Sequence, residues 1–323
     1  MGRTQVIIPF YQRTRGLLPV AVNSVLAQGQ DDLLVMVVDD GSPIPAREEL
    51  AAVVVRDSRV IVIEQKNAGP AAARNRGIDA APDDVEQIAF LDSDDRWFPG
   101  HLPNALTALR LGADFYFSNY YTYGSERPRF APGSTSAPSG IPIADGADLF
   151  FTTGDLIDAV LRSSPIGTST VVYRRSIAPD LRFSSNLYAT EDSHLWIGLI
   201  AASRRVAFSM RCEVAFGLGV NIWATNNTWD SFEALRRAFY MSRFHRAAAA
   251  DFALTAAHRL TIGIKLADDR TMIAANVLHR LRRAQRIDWP ILARYLREEP
   301  RLFGDFAGVA VKWLLRPGTG ARP

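Results

Sequence analysis

The stretch Leu33-Leu-Val-Met-Val-Val-Asp-Asp-Gly-Ser42 decides the fold, because six consecutive apolar residues run directly into an acidic turn. An unbroken run of large and β-branched residues is typical of a strand buried on both faces of a sheet. Similar runs and helix candidates alternate around it. The strand candidates are 5–9, 33–38, 59–64 and 87–91, and the helix candidates are about 14–28, 45–55, 70–80 and 99–111. This order predicts an α/β fold with a doubly wound, mostly parallel sheet that binds ligands at the carboxyl ends of its strands.

The chain beyond residue 120 is less regular. Residues 124–146 are rich in Pro, Gly and Ser, which predicts a loop that either covers a site or only connects two elements. Strand candidates follow at 168–173 and 206–216, with a helix candidate at about 190–202. After Trp229 the sequence predicts helices to the end. We therefore expect one domain over 1–220, with halves 1–120 and 121–220, and a helical region over 221–323.

Composition describes a globular chain of 323 residues, 48% of them apolar, with the single cysteine Cys212. One cysteine excludes an internal disulfide framework and fits a reducing compartment. The N-terminal residues show no export signal, and the longest apolar runs are far shorter than the roughly 18 to 20 residues that span a bilayer. We expect a cytoplasmic protein that does not cross a membrane by itself.

Charge is distributed unevenly along the chain. Residues 221–323 carry 17 Lys and Arg against 9 Asp and Glu, whereas the remainder carries 20 against 25. The resulting C-terminal net charge of +8 would attract anionic lipid, lipid pyrophosphate or nucleic acid, unless it is only the solvated surface of helices.

The acidic cluster Asp92-Ser-Asp-Asp95 follows a buried strand, so several carboxylates meet at one strand end. Such a concentration of negative charge is costly without a counter-ion. Mg²⁺ or Mn²⁺ fits, because each binds one or two carboxylates and completes its shell with phosphate oxygens. Taken alone, the cluster is equally compatible with a solvated loop that caps the next helix.

Three companion motifs favour the metal. The turn Asp39-Asp-Gly-Ser42 ends the second strand, and its carboxylates suit the N–H of a base, although an ordinary turn has the same sequence. The segment Asn67-Ala-Gly-Pro-Ala-Ala-Ala-Arg74 places a turn before a helix and an arginine within reach of a diphosphate. At the first strand end, Pro9-Phe-Tyr-Gln-Arg13 offers an aromatic ring that either stacks on a base or belongs to the core edge.

In this order the four motifs resemble glycosyltransferase family 2, which has the GT-A fold, over roughly residues 5 to 215. Within the family, the chain is similar to bacterial succinoglycan or exopolysaccharide-type glucosyltransferases. The resemblance implies that Asp94 binds the metal and that Asp92 faces the ribose or sugar. The nucleotide-binding residues that it implies are Pro9, Phe10, Tyr11, Arg13, Asp39, Asp40, Asn67, Arg74, Asp92 and Ser93.

A fifth motif, Thr190-Glu-Asp-Ser-His-Leu-Trp196, resembles the family's acceptor-side element. An inverting transfer needs a general base for the acceptor hydroxyl, and we assign that role to Asp192, with Glu191 in support. Both acids could instead cap the helix. Trp196 lies on the same helical face as Asp192, where it forms a sugar platform or packs in the core.

Two departures from the family limit the analogy. No Gln-x-x-Arg-Trp signature follows Asp192, so a single addition is favoured over processive elongation. No third metal ligand aligns, although His194 and His245 are candidates. We also place His194 and the loop residues Asn221 and Trp223 as weak acceptor or sugar contacts.

Near the C-terminus, apolar residues recur at helical spacing beside Arg301, Lys312 and Arg316. They are Phe303, Phe306, Ala307, Ala310, Trp313 and Leu314. This pattern predicts a helix that lies on a membrane surface, or one that packs on the catalytic domain or on a second subunit.

The sequence therefore predicts an inverting, metal-dependent hexosyltransferase that adds one hexose from a UDP-sugar, with UDP-glucose favoured, to a lipid-linked oligosaccharide. It would lie in the cytoplasm, peripheral to the inner face of the membrane. A homo-oligomer is compatible with this prediction, and no nucleic-acid partner is expected. The alternatives are a sugar nucleotidyltransferase, which would need a glycine-rich phosphate loop at the first strand, and an inactive saccharide-binding assembly subunit.

Overall fold

The computed structural model of the chain describes residues 2–54, 56–122, 127–131, 137–143, 148–217 and 228–315, with side chains up to residue 312. The chain forms two compact units. Unit 1 comprises Met1–Asn186 and Glu191–Gly219, and unit 2 comprises Leu187–Thr190 and Val220–Pro323.

Unit 1 is built from strands and helices that alternate over its first half. Its strands are β1 (Arg3–Phe10), β2 (Leu33–Asp39), β3 (Val60–Glu64), β4 (Val85–Phe90), β5 (Arg96–Trp97), β6 (Phe115–Tyr121), β7 (Gly140–Pro142), β8 (Leu149–Thr152), β9 (Val172–Arg174) and β10 (Val206–Ala215). Its helices are α1 (Leu17–Leu26), α2 (Ala46–Glu49), α3 (Ala51–Val54), α4 (Pro70–Asp79), α5 (His101–Arg110), α6 (Leu156–Ser163) and α7 (Glu191–Ala202).

The described strands form one sheet in the order β3-β2-β1-β4-β9-β6-β10-β8-β7, and β5 pairs with β10. The first four strands in this order are parallel, as predicted. Beyond them the sheet is mixed, because β9 runs antiparallel between β4 and β6, whereas β10 is parallel to β6. The predicted α/β fold is confirmed, and the carboxyl ends of β1, β2 and β4 meet at one edge.

Helices cover both faces of the parallel half. Alternate residues of β1 face a core that includes Leu18 and Val22 of α1. Ile7 points to the opposite face, where α4 lies against it. A Cβ on Gly77 of α4 would come within 2.4 Å of the Ile7 side chain, so this close approach requires glycine. The apolar runs in the sequence reflect this double-sided burial.

Two segments differ from the prediction. The strand predicted at 168–173 begins instead with a 3-10 turn at Thr168–Thr170, and only β9 is extended. The reason is local, because the Thr170 hydroxyl donates to the Gly167 carbonyl at 2.7 Å and closes the turn. Within the region predicted as a loop at 124–146, the short strand β7 pairs with β8.

Unit 2 is helical. It contains α8 (Phe232–Asp251), α9 (Ala256–Arg282), α10 (Trp289–Glu298) and α11 (Leu302–Leu315). The side chain of Thr255 caps α9 by accepting from the His258 N–H at 3.2 Å, and Asp288 caps α10. Buried residues of all four helices share one core. No described helix is long and apolar enough to span a bilayer.

The predicted C-terminal stripe does not form a single exposed face. Phe306 packs against the core of unit 2 together with Leu302 and Val309, whereas Phe303 is 64% exposed. Ala307 is exposed and Ala310 is half-buried, and the side chains of Trp313 and Leu314 lie outside the described residues. Helix α11 is thus an integral element of unit 2.

Candidate functional site

The turn after β2 is shaped by Asp39. Its carboxylate accepts hydrogen bonds from the backbone N–H groups of Ser42 and Ala46, each at 2.8 Å. These bonds close the turn and fix the start of α2. Asp39 is only 5% exposed, so its carboxylate serves the backbone of the turn.

Asp40 joins β2 to the segment before α4. Its Oδ1 accepts from the Gln65 amide at 2.7 Å and from the Ala68 N–H at 2.8 Å, and its Oδ2 accepts from the Gly69 N–H at 2.8 Å. The Asn67 amide donates to the Asp40 carbonyl at 2.9 Å. Because a carboxylate offers about four lone-pair positions, these bonds leave room for one further donor on Asp40.

The segment after β1 presents fewer candidate contacts than we predicted. Tyr11 is 40% exposed, Arg13 is exposed and Pro9 is half-buried. Phe10, however, is fully buried in the core that β1 shares with α1. Its ring cannot contact a nucleotide there, so its place among the nucleotide-binding residues is corrected. The direction of the Phe10 side chain follows from the two-residue alternation of the strand.

Ser169 forms hydrogen bonds with both ends of the acidic turn Asp92-Ser-Asp-Asp95. Its hydroxyl accepts from the Asp92 N–H at 2.9 Å and donates to the Asp95 carboxylate. Asp95 also accepts from the Gly217 N–H at 2.8 Å. Burial, together with the charges of Asp92 and Asp94, raises the pKa of Asp95 well above its ordinary value. Asp95 therefore supports the turn.

Two further contacts surround the middle of the acidic turn. The buried Gln12 amide donates to the Ser93 hydroxyl at 3.2 Å and thereby ties the end of β1 to the turn. Gly217 passes so close that a Cβ on it would lie 1.9 Å from the Asp94 carbonyl oxygen. The half-buried Asp94 is held between these segments.

Arg74 bridges the acidic turn and α7. One end of its guanidinium donates to Asp92 at 2.7 Å and the other to Glu191 at 3.1 Å. The side chain is only 6% exposed, and the guanidinium lies 5.3 Å from the centre of the Phe183 ring. Burial disfavours its charged form, but the two carboxylates outweigh burial and raise the pKa of Arg74. We predicted a nucleotide contact for Arg74, and the structure places it in a buried ion-pair network instead.

The two acids at the start of α7 have distinct environments. Burial raises the pKa of Glu191, and so does the charge of Asp192, while Arg74 opposes the change. Burial also raises the pKa of Asp192, against the opposing effects of the Ser193 N–H and Arg74. The Asp192 carboxylate accepts from the Ser193 N–H at 2.6 Å and from the Thr168 hydroxyl at 3.2 Å. A carboxylate with a raised pKa, held by directed bonds, suits the role of a general base.

The 3-10 turn between β8 and β9 connects the two groups of acids. Thr168 bonds Asp192, and the adjacent Ser169 bonds both Asp92 and Asp95. Sequence reasoning missed this turn, because its hydroxyl-rich sequence is also compatible with a strand. These neighbouring hydroxyls fix the position of the Asp192 carboxylate relative to the acidic turn.

The weaker acceptor candidates are distributed differently from the prediction. Trp196 is fully buried among Phe90, Phe115 and Phe183, and its ring centroid lies 6.0–6.2 Å from theirs. Trp196 therefore packs in the core, and the alternative that it forms a sugar platform is wrong. His194 is buried on α7. Of the remaining candidates, His245 lies in unit 2, 3.9 Å from Asp269, and Asn221 and Trp223 lie outside the described residues.

The sequence motif predicts Asp94 as the ligand of a metal ion, and the structure places Asp94 half-buried in the middle of the acidic turn. Arg74 engages Asp92 on one side of it, and Ser169 and Gly217 engage Asp95 on the other. Within the described part of the chain, no three His, Cys, Asp or Glu side chains are grouped to hold a metal ion. Mg²⁺ or Mn²⁺ commonly takes one or two carboxylates and the phosphate oxygens of its substrate. The acidic turn offers carboxylates of the kind that such an ion takes together with the phosphate oxygens of a substrate.

Known proteins resemble this chain in both sequence and fold. The model of Glycosyl transferase family 2 matches residues 5–179. The succinoglycan biosynthesis protein ExoW of Rhizobium meliloti is 30% identical, and the match covers 98% of this chain and all of that protein. The putative teichuronic acid biosynthesis glycosyltransferase TuaG of Bacillus subtilis is 26% identical, over 73% of this chain and 89% of its own length.

Two solved structures share the fold at low sequence identity. S. aureus TarS 1–349 in complex with UDP superposes with a TM-score of 0.56 and 15% identity, covering 94% of this chain and 80% of that one. The mannosyltransferase PcManGT of Pyrobaculum calidifontis, in complex with GDP-Man and Mn²⁺, gives 0.57 and 16%, covering 97% and 87%. The sequence matches and the shared GT-A fold together establish that this chain belongs to glycosyltransferase family 2.

Proposed function

We propose that this chain is an inverting, metal-dependent hexosyltransferase that acts in exopolysaccharide biosynthesis. It would move one hexose, with glucose favoured, from a UDP-sugar to a hydroxyl of a lipid-linked oligosaccharide. Its similarity to a succinoglycan biosynthesis protein supports the pathway class. The TarS complexes with UDP and UDP-GlcNAc support the donor class, and the PcManGT complex with GDP-Man and Mn²⁺ supports the metal.

The observation that carries the proposal is the connection between the acidic turn and the acids of α7. Arg74 bonds Asp92 on one side and Glu191 on the other. Thr168 bonds Asp192, and Ser169 bonds Asp92 and Asp95. A transfer reaction needs a donor site and a base at a fixed separation. This network supplies such a fixed arrangement.

The donor would bind at the strand ends. The exposed Tyr11 ring is suited to stack on the base, and Asp40 retains capacity for one N–H donor. Asp94 would hold Mg²⁺ or Mn²⁺, which when bound neutralises the charge that develops on the departing diphosphate. Asp39 and Asn67 would shape the pocket by holding its turns, and Ser93 by positioning Asp94.

The chemical step follows from the position of Asp192. The Asp192 carboxylate would take the proton of the acceptor hydroxyl as that oxygen bonds to the anomeric carbon. The bond from the anomeric carbon to the diphosphate oxygen breaks, and its electron pair leaves with the nucleoside diphosphate. Attack from the face opposite the leaving group inverts the anomeric configuration. Glu191, which Arg74 holds at 3.1 Å, would position the acceptor.

The proposal is tested with a panel of UDP- and GDP-sugars in Mg²⁺, in Mn²⁺ and in EDTA. We expect consumption of a UDP-hexose that stops in EDTA, and a product whose anomeric configuration is opposite to that of the donor by NMR. Asp94→Ala should lower donor use by roughly a hundredfold or more, because a metal supplies several kcal/mol of charge stabilisation. The exposed Asp83→Ala should not change it. Full activity in EDTA, or retention of configuration, would refute the proposed mechanism.

A further inference from the structure

The turn between α9 and α10 carries a concentration of positive charge that the transfer reaction does not use. Arg282, Arg283 and Arg286 are exposed there, and residues 280–287 contain no acid. Exposed apolar side chains flank these arginines on both sides, with Leu281 at 52% exposure and Trp289 at 58%. We call these five residues the basic tip.

The backbone of the basic tip is held in one conformation. Ala284 has a φ of 50°, the Ala284 N–H donates to the Leu281 carbonyl at 3.1 Å, and the Gln285 N–H donates to the Arg280 carbonyl at 2.8 Å. This is the Schellman pattern that ends a helix. The Arg280 guanidinium also donates to the Arg286 carbonyl and to the Asp230 carbonyl. The exposed side chains therefore project from a fixed turn, which limits the entropy lost on binding.

Three acids lie near the basic tip, and the arginines there outnumber them. Asp230 and Glu233 line one depression with Arg286, and the Thr228 hydroxyl, followed by the charges of His279 and Arg283, lowers the pKa of Asp230. Asp288 is only 6% exposed and is bonded to Arg236. Three guanidinium groups, those of Arg236, Arg280 and Arg286, lie within 5.7 Å of the Phe232 ring centre. None of the five residues of the basic tip carries a thiol, a carboxylate or an imidazole. Positive charge and exposed apolar area are thus the two properties that this surface offers to a partner.

We propose that the basic tip docks the protein on an anionic lipid surface. Arginine attracts anionic headgroups, and Trp and Leu side chains enter the boundary between headgroups and acyl chains. The exposed Leu281 and Trp289 favour a lipid surface over a single-stranded nucleic acid, because a nucleic acid offers no apolar interior to a leucine side chain. The basic tip is a different surface from the face of α11, which the sequence predicted to lie on a membrane. The proposal does not depend on the donor or on the base.

The first test is co-sedimentation of the full chain with vesicles of phosphatidylcholine alone or with 30 mol% phosphatidylglycerol. We expect binding to the anionic vesicles that weakens with salt. Each basic residue near such a surface contributes roughly a fivefold change in affinity, so Arg282→Gln with Arg283→Gln should weaken binding by about 25-fold. The matched control is Arg297→Gln with Arg301→Gln, which removes the same charge from an exposed residue of the last turn of α10 and from one just before α11.

The second test reports the position of one side chain. Brominated lipid should quench part of the tryptophan emission of the wild type, and Trp289→Phe should lose that part. Trp289 is exposed, so this variant should keep the wild-type melting temperature.

The proposal would be overturned by no binding to anionic vesicles, by equal losses in the tip and control variants, or by quenching that Trp289→Phe leaves unchanged. Binding to a single-stranded DNA probe in place of vesicles would overturn it as well. Transfer to a water-soluble acceptor should be the same in the tip variants and the wild type. A failure of the docking proposal is thus separable from a failure of the proposed reaction.

Discussion

Replacing Arg74 with methionine tests the buried ion-pair network. The substitution removes the guanidinium that bonds Asp92 at 2.7 Å and Glu191 at 3.1 Å, and it leaves an apolar side chain of similar length. The Asp92 carboxylate is 34% exposed and can regain water, but that of Glu191 is only 9% exposed. Most of the cost should therefore arise at Glu191.

The magnitude follows from the loss of one partner of a buried pair, which costs about 3–5 kcal/mol. At about 2–4 °C for each kcal/mol in a domain of this size, the melting temperature of Arg74→Met should fall by roughly 6–20 °C. Burial already raises the pKa of Glu191, and losing Arg74 should raise it further. A carboxyl whose pKa is higher in the folded state destabilises the fold as pH rises above its unfolded value. The deficit should therefore be larger at pH 8 than at pH 5.

The assay is thermal and urea unfolding at both pH values, followed by circular dichroism. Adding Glu191→Gln to Arg74→Met should recover part of the stability, because it removes the charge left without a partner. The matched control is Arg162→Met, which breaks the exposed ion pair with Asp158 and should cost less than about 1 kcal/mol. An Arg74→Met variant as stable as this control, or no recovery in the double variant, would refute the reasoning.

Three further substitutions test individual contacts. Gly217→Ala should lower donor use at least tenfold, because its Cβ would displace the acidic turn, whereas Gly304→Ala, with open space around it, should leave activity unchanged. Trp196→Ala should destabilise the protein by about 3–5 kcal/mol in urea unfolding, as for a core aromatic residue; a neutral effect would contradict its burial. Burial raises the pKa of Asp192 and the Thr168 hydroxyl opposes this, so transfer should decline as pH falls and Asp192 becomes protonated. In Thr168→Val that decline should begin at higher pH, because the hydrogen bond that favours the charged carboxylate is lost. Thr168→Ser should restore the wild-type profile, and an unshifted Thr168→Val profile would contradict the contact.

The parallel half of the fold could be predicted from the sequence because its strands are buried on both faces. Such strands appear in the sequence as continuous apolar runs. Asp39 and Asp92 follow directly after two of these runs and show where the strands end. The antiparallel position of β9 leaves no comparable mark, since a three-residue strand has too few residues to show a pattern.

The sequence motifs indicated several residues that the structure brings together, but not the contacts between them. Motif order identified Arg74, but its partner Glu191 lies 117 residues away, and no local pattern encodes that distance. Ser169 escaped notice because a serine between two threonines carries no distinctive spacing. Periodicity likewise identified α11 as amphipathic without indicating that Leu302 and Val309 are its buried residues.

The central claim, that Asp192 removes the acceptor proton, is tested most directly by Asp192→Asn. The amide keeps the size of the carboxylate but cannot accept the proton. We would measure UDP binding by calorimetry and transfer by single turnover, with the exposed Asp180→Asn as the matched control. The predicted result is unchanged UDP affinity and transfer slowed by roughly 10²- to 10⁴-fold, the contribution of a general base. Transfer by Asp192→Asn at the wild-type rate would contradict the claim.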